Sequence, residues 1–397
     1  MANNGVSLTR REFLKDTGAV SASSALAMAG IPAVHTSVAD TINIALIGCG
    51  GRGTGAAADA LYTTGGPIKL IAMADLFEAK IKPSYNNLLA QPGLKEKIDV
   101  PAERMFHGFD AYKKAMDCLK PGDVAIFTTP PVFRQVFFEY AIQKGINVFM
   151  EKPVSVDGPS ARRMFKLGEE SVKKGMKVGV GLMCRHCEAR GELFNRIRDG
   201  QLGEVIALRA YRMQDIVGYF NSEPVPAGEN ELLYQIKRFH SFLWASGGCF
   251  NDFYIHHIDE CCWMKDAWPV EAQALGGRHY RGTAIDQNFD TYSVEYTYAD
   301  GTKLFLDGRC EPECNNAFAS YAHGSKGLAV ISEDGHAPAH SRIYKGQSKT
   351  NPIAWAWTAP ERNPYRLEWE HLTRAIRNNT PYNEVKRGVQ ASLVTTM

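Results

Sequence analysis

Asp252 and His256 stand four residues apart in the segment Gly247-Gly248-Cys249-Phe250-Asn251-Asp252-Phe253-Tyr254-Ile255-His256-His257-Ile258-Asp259-Glu260. Phe253, Tyr254, Ile258, Cys261 and Cys262 predict a buried helix here. A spacing of four puts the carboxylate and the imidazole on one face of that helix. A carboxylate can orient an imidazole, and an imidazole titrates near neutrality. The pair therefore suits a base that takes a proton from a hydroxyl while hydride leaves the same carbon. His257 is rotated about 100° away and is read as packing. Asp259, three residues beyond His256, is read as a structural cap or salt-bridge partner. Proton chemistry is preferred here to a metal site built from the same four side chains.

A second constellation lies near residue 50. The apolar run Ile42–Ile47 enters Gly48-Cys49-Gly50-Gly51-Arg52-Gly53, and a helix-like Ala56–Leu61 follows. Gly48, Gly50 and Gly53 form G-x-G-x-x-G. In such a turn the first glycine permits the bend and the second admits a pyrophosphate. The third lets helix pack on strand, and the phosphates rest on the helix N-terminus. A strand ending at Asp75 follows, 22 positions after Gly53, close to the ~20 expected of an acid that binds ribose hydroxyls. That carboxylate would repel a 2′-phosphate, and Leu76 offers no arginine to receive one. NAD is favoured over NADP.

The elements that must position these groups fall into two patterns. Strands at Ile68–Ala74, Asp123–Phe127 and Asn147–Met150 alternate with helix, including Phe133–Lys144, which stops at Gly145. This predicts a doubly wound parallel sheet. Ligands in such sheets lie beyond the strands' carboxyl ends, where Thr128-Thr129-Pro130-Pro131 and Glu151-Lys152-Pro153 stand. Beyond Met183 the pattern changes. Strand-like runs appear at 205–212, 272–280, 292–298, 303–308 and 327–332, with a hairpin turn at Ala299-Asp300-Gly301-Thr302. The second domain is therefore read as α+β with an open, mostly antiparallel sheet. The boundaries read as 1–39 for an export signal, 40–180 for a dinucleotide-binding Rossmann domain and 181–397 for a substrate and oligomerisation domain.

Taken together, Gly48–Gly53, Thr129-Pro130, Glu151-Lys152-Pro153-Val154, Gly247-Gly248…Asp252-x-x-x-His256-x-x-Asp259 and Asn363-Pro364-Tyr365…Glu368 resemble the glucose-fructose oxidoreductase / inositol dehydrogenase / rhizopine-catabolism (Gfo/Idh/MocA) superfamily. The resemblance spans residues 41–397. It implies a catalytic lysine at Lys152, beside nicotinamide and substrate, and catalytic roles for Asp252 and His256. A cation at Lys152 would stabilise a hydroxyl about to lose its proton. Cofactor contacts are implied at Gly48, Cys49, Gly50, Gly51, Arg52, Gly53, Asp75, Thr129, Pro130, Glu151 and Lys152. Arg185, Tyr254, Trp244 and Arg278 are candidates for sugar contacts. Where many members carry a histidine after the Thr-Pro turn, this chain has Val132, Phe133 and Arg134; Arg134 is expected to take a positional role or to mark a different substrate. The family usually runs on a little beyond a point such as Met397. An exposed second sheet implies a homodimer or homotetramer.

Composition narrows the function further. Of 397 residues 45% are hydrophobic and 22% charged, and the formal net charge is +2. That balance favours globular domains over disorder and points away from nucleic acid as a partner. No membrane span is expected in the mature chain, because no apolar run beyond residue 40 approaches the ~18 residues required. The nine cysteines are an odd number and form no disulfide framework. Cys184-x-x-Cys187 lacks a suitable partner motif in Cys310-x-x-x-Cys314, so no metal is expected. The thiols are read as apolar filler, with one or two pairs open to oxidation after export.

Residues 7–15, Ser-Leu-Thr-Arg-Arg-Glu-Phe-Leu-Lys, resemble a twin-arginine signal. An alanine-rich stretch to Val34 and a small-x-small site at Ser37-Val38-Ala39 follow. Export of a folded protein by the twin-arginine machinery, to the periplasm or beyond, is expected. Outside the cytoplasm no dinucleotide pool is available for exchange. The expected activity is therefore hydride transfer between a sugar carbon and tightly bound NAD. A redox-neutral glycosidase working by oxidation, elimination and reduction is the alternative, and a non-catalytic sugar- or dinucleotide-binding module is a third reading.

Overall fold

The computed structural model describes residues 40–397, apart from Tyr219 and Tyr280. The twin-arginine segment lies outside the described residues. Six strands form a first sheet: β1 (Ile42–Ile47), β2 (Ile68–Asp75), β3 (Met105–His107), β4 (Val124–Phe127), β5 (Asn147–Met150) and β6 (Val178–Val180). All pair in parallel, in the order β3-β2-β1-β4-β5-β6. This is the order of a doubly wound dinucleotide fold.

Alternation along β1 explains the layers. Ile44 and Leu46 enter one core with Ala57, Leu61 and Leu70, while Ala45 and Ile47 enter the opposite core with Phe138 and Val148. Successive side chains of a strand point to opposite faces, so a strand covered on both faces must be apolar throughout. The helix Arg134–Lys144 ends at Gly145 in the left-handed conformation, as its sequence predicts.

The second sheet has eight strands: β7 (Val205–Gln214), β8 (Glu271–Gly277), β9 (Thr291–Thr297), β10 (Lys303–Cys310), β11 (Ala317–Gly324), β12 (Gly327–Glu333), β13 (Arg342–Lys345) and β14 (Ile353–Ala356). Their order is β14-β13-β12-β11-β7-β10-β9-β8. Every pair is antiparallel except β7 with β10. The β9–β10 hairpin closes at the expected turn. One face of this sheet carries the helix Gly248–Lys265, whose Tyr254, Ile258, Cys261 and Cys262 pack with Val294, Tyr296, Leu304 and Leu306. Of these strands, β11, β13 and β14 were not among those expected from the sequence.

The chain then returns to the first sheet. Trp369, on the helix Pro364–Arg377, stacks on Phe149 of β5 with ring centroids 4.5 Å apart. Val385 and Val389 join the core of Met164 and Leu167. No described helix is long and apolar enough to cross a membrane.

Candidate active site

The carboxyl ends of β1, β2, β4 and β5 open into one cavity of ≈ 550 Å³. Its first wall is the glycine turn. Gly48 has φ +103, a conformation that L side chains rarely adopt, and a Cβ there would lie 2.8 Å from Thr128 and Thr129. A Cβ on Gly53 would lie 1.9 Å from the Gly48 carbonyl oxygen. At Gly50 and Gly51, by contrast, a Cβ would meet no atom within 4 Å. The turn is thus closed towards the protein and open towards the cavity, where the helix Gly51–Leu61 begins.

Asp75 ends β2 and accepts the Cys49 N–H at 2.7 Å and the Phe77 N–H at 2.9 Å. Burial raises its carboxyl above the ordinary value against those two donors. A cradle of open glycines at a helix N-terminus, with an acid at the end of the second strand, fits a dinucleotide. The Cys49 thiol turns inward to the Ala74 carbonyl, so only the Cys49 backbone faces the turn's chemistry. Gly53→Ala is expected to weaken dinucleotide binding about 10–100-fold, the equivalent of forcing a methyl group into a filled site. Equilibrium titration of the variant measures this; unchanged affinity would contradict the role given to the turn.

Arg134 joins the two loops that flank the cavity. Only 2% exposed, it donates to Thr129 Oγ1 at 3.0 Å, to the Thr129 carbonyl, and through Nε to the Glu151 carbonyl at 3.0 Å. Burial lowers its guanidinium to about 10, with Glu151 and Asp252 opposing. The positional role anticipated for Arg134 is therefore what the geometry displays. Arg52 does similar work at the rim. Its Nε donates to Glu151 Oε1 at 2.6 Å and its guanidinium lies 4.7 Å over the Tyr365 ring.

Lys152 follows β5 and projects between the two sheets. Its Nζ donates to the Asp252 carbonyl oxygen and lies 3.4 Å from Asp252 Oδ1. The other carboxylate oxygen lies 3.1 Å from His240 Nε2. The imidazole that Asp252 orients is thus His240, not His256 as its position on the helix suggests. His240 is itself held between the Phe239 and Phe253 rings, at 3.9 and 5.4 Å. Burial would raise the Asp252 carboxyl, but Lys152 and His240 outweigh it and hold it well below the usual carboxylate range.

His256 also lines the cavity and is 6% exposed. Its Nδ1 is buried with no hydrogen-bond partner among the described residues, and its ring meets His336 with centroids 4.5 Å apart. Burial, then Lys152 and Arg212, depress it well below its ordinary value. A neutral imidazole with uncommitted acceptor capacity results.

The four proposed sugar contacts lie elsewhere. Arg185 binds Asp259 at 2.8 Å and rests on Trp263 and Trp268; Asp259 thereby plays its expected salt-bridge part. Tyr254 is fully buried and seated on Gly308, where a Cβ would come within 2.5 Å of its ring. Trp244 is 38% exposed and donates to Gln235. Arg278 is tied to Asp286 at 2.7 Å. None lines the cavity. Instead, Arg212, Ile236, Lys237, Phe239, His240, Phe253 and His336 complete it. Phe253 was read from the sequence only as a packing residue of the Asp252–His256 helix, and the others lie outside every local motif, so nothing in the sequence marked them. All nine cysteines are free thiols; Cys249 and Cys310 come closest, with sulfurs 3.4 Å apart.

No protein-family model and no curated protein matches the chain. Solved structures do. The aldose-aldose oxidoreductase from Caulobacter crescentus, crystallised with glycerol, superposes with a TM-score of 0.66 at 16% identity, over 89% of this chain and 95% of its own. The myo-inositol 2-dehydrogenase from Lactobacillus plantarum gives 0.63 at 21% identity, over 90% and 95%. A levoglucosan dehydrogenase in complex with NADH and levoglucosan gives 0.66 at 14% identity, over 90% and 95%. The two-domain architecture described above is therefore one that this chain shares, along nearly its whole described length, with oxidoreductases of sugars and polyols.

Proposed function

We propose that this chain is an NAD-dependent oxidoreductase of the Gfo/Idh/MocA type, acting on a sugar or sugar derivative with its dinucleotide tightly held. One observation carries the reading. A single cavity has the open glycine turn and Asp75 on one side and Lys152, Asp252, His240 and His256 on the other. The sugar and dinucleotide in the levoglucosan dehydrogenase complex support it. Asp75 followed by Leu76 favours NAD, although a structurally similar 3-ketoreductase from Actinomadura kijaniata is complexed with NADP.

Bound nicotinamide supplies the acceptor for a hydride leaving the sugar carbon. The protein's own groups handle the proton. Lys152, anchored by Asp252, presents a cation to the hydroxyl oxygen and stabilises the charge that develops there. Asp252 stays ionised between Lys152 and His240 and fixes both. His256, kept neutral, can receive the hydroxyl proton. Asp252 thus acts by positioning, and the base role rests with His256. His256→Ala tests this: unchanged turnover would remove it from the chemistry.

The Arg10-Arg11 signal supports export to a compartment without a dinucleotide pool, and so a cofactor recycled within each turnover. The same signal keeps open the redox-neutral glycosidase, in which the hydride is returned. The protein purified without added cofactor and then denatured is expected to release near-stoichiometric NAD, identified by absorbance and mass. An empty protein needing added NAD stoichiometrically would overturn the self-recycling reading. Release of free sugar from glycosides without reduced nicotinamide accumulating would favour the glycosidase.

A further inference from the structure

Arg212 on β7 is 9% exposed and lines the cavity. Its Nη1 donates to His336 Nε2 at 3.1 Å and its Nε to Gln214 Oε1 at 2.9 Å. Its guanidinium lies 4.6 Å over the Phe318 ring. All these partners are uncharged, and among the described residues no carboxylate pairs with it. Two nearby arginines are paired instead: Arg190 is bonded to Glu260 at 2.7 Å and Arg185 to Asp259 at 2.8 Å. A buried cation without a counter-charge is costly. An arginine that keeps a free edge in a ligand cavity is built to receive an anion.

The neighbours set the charge of that anion. His336 accepts from Arg212, so its proton is on Nδ1, which lies 3.6 Å from Cys184 Sγ. Burial, then His256 and Arg212, hold His336 neutral. His256 is neutral as well, and Lys152 is offset by Asp252. At this end of the cavity the Arg212 charge is left without a carboxylate partner among the described residues. It matches a carboxylate, whereas a phosphate monoester would bring about −1.5 to −2.

We propose that the substrate is an acidic sugar, a uronate or aldonate, whose carboxylate is held at the Arg212–His336–His256 end of the cavity. This deepens the sugar-oxidoreductase reading and rests on it. Arg212 takes the carboxylate through its free edge. His336 fixes the guanidinium, and His256 faces the bound sugar from the adjoining turn of its helix.

The test uses the full chain carrying its dinucleotide. Calorimetry compares D-glucuronate, D-galacturonate and D-gluconate with D-glucose, D-galactose and D-glucitol. One acid or more is expected to bind at least about tenfold tighter than its uncharged parent. Arg212→Gln should weaken that acid about 10–100-fold, the loss typical of a charge-assisted bond, and so remove its preference over the uncharged parent. Arg212→Lys and His336→Gln serve if the glutamine variant fails to fold, and each should erode the preference. Acids that bind no tighter than their parents, or a preference that survives these variants, would overturn the proposal. If no sugar of either kind binds or reduces the bound dinucleotide, the oxidoreductase reading itself fails. If uncharged sugars turn over and acids do not, only the acidic substrate falls.

Discussion

Replacing Lys152 by alanine is expected to lower kcat about 10²–10³-fold, the range seen when one preorganised donor to a developing oxyanion is lost. Single-turnover reduction of the bound dinucleotide would measure it. The dinucleotide content should fall far less than kcat, because the cradle of Gly48, Gly50 and Gly53 lies at the end of another strand, β1. The loss has a second component. Asp252 loses its lysine and keeps His240 as its close partner, so its carboxyl rises from its depressed value. Activity of the variant should therefore fall with acid at a higher pH than in the parent. Arginine should not rescue, since its planar fork cannot reproduce a point cation bonded to both a carbonyl and a carboxylate of one residue. A loss below about threefold would place Lys152 outside the chemistry.

Acid should unfold the protein unusually steeply. His256, His257 and His336 are buried together and each is held well below its ordinary value, first by burial and then by surrounding cations and imidazoles. As pH falls through ~6.5 the unfolded chain binds these three protons while the folded chain without substrate does not. Stability is therefore full above that pH and is lost as pH falls toward the folded-state values. Each group contributes about 1.4 kcal/mol per pH unit, so three give about 4 kcal/mol per unit. Against a total of about 5–15 kcal/mol, unfolding near pH 5 is expected. Denaturant melts at a series of pH values would measure the slope. His257→Leu should reduce it by about a third, because both His257 ring nitrogens are buried with no hydrogen-bond partner among the described residues. A slope unchanged by that variant would show that His257 takes up its proton without unfolding the chain.

What was legible in the sequence was local. Gly48–Gly53 declares itself because one backbone conformation and one steric limit act within six residues. The strands Ile42–Ile47 and Val124–Phe127 are legible because a strand buried on both faces has no room for polar alternation. Asp252 and His256 share a helix, so their presence on one face could be read from spacing alone. Lys152 was placed by resemblance, and its position at the end of β5 agrees with the rule for strand ends.

Tertiary structure decided the rest. Asp252 could reach an imidazole on its own helix, yet Phe239 and Phe253 hold His240 closer, and that choice depends on a loop twelve residues upstream. Tyr254 and Arg185 carry side chains suited to sugars, but Gly308 and Asp259 draw them into the core. Arg212 and His336 come from β7 and from a turn after β12, more than a hundred residues apart, and only the sheet order brings them to one cavity. Pairing within a helix or a turn follows from the chain's own geometry. Pairing between strands follows from which faces must be buried, and no short segment carries that information.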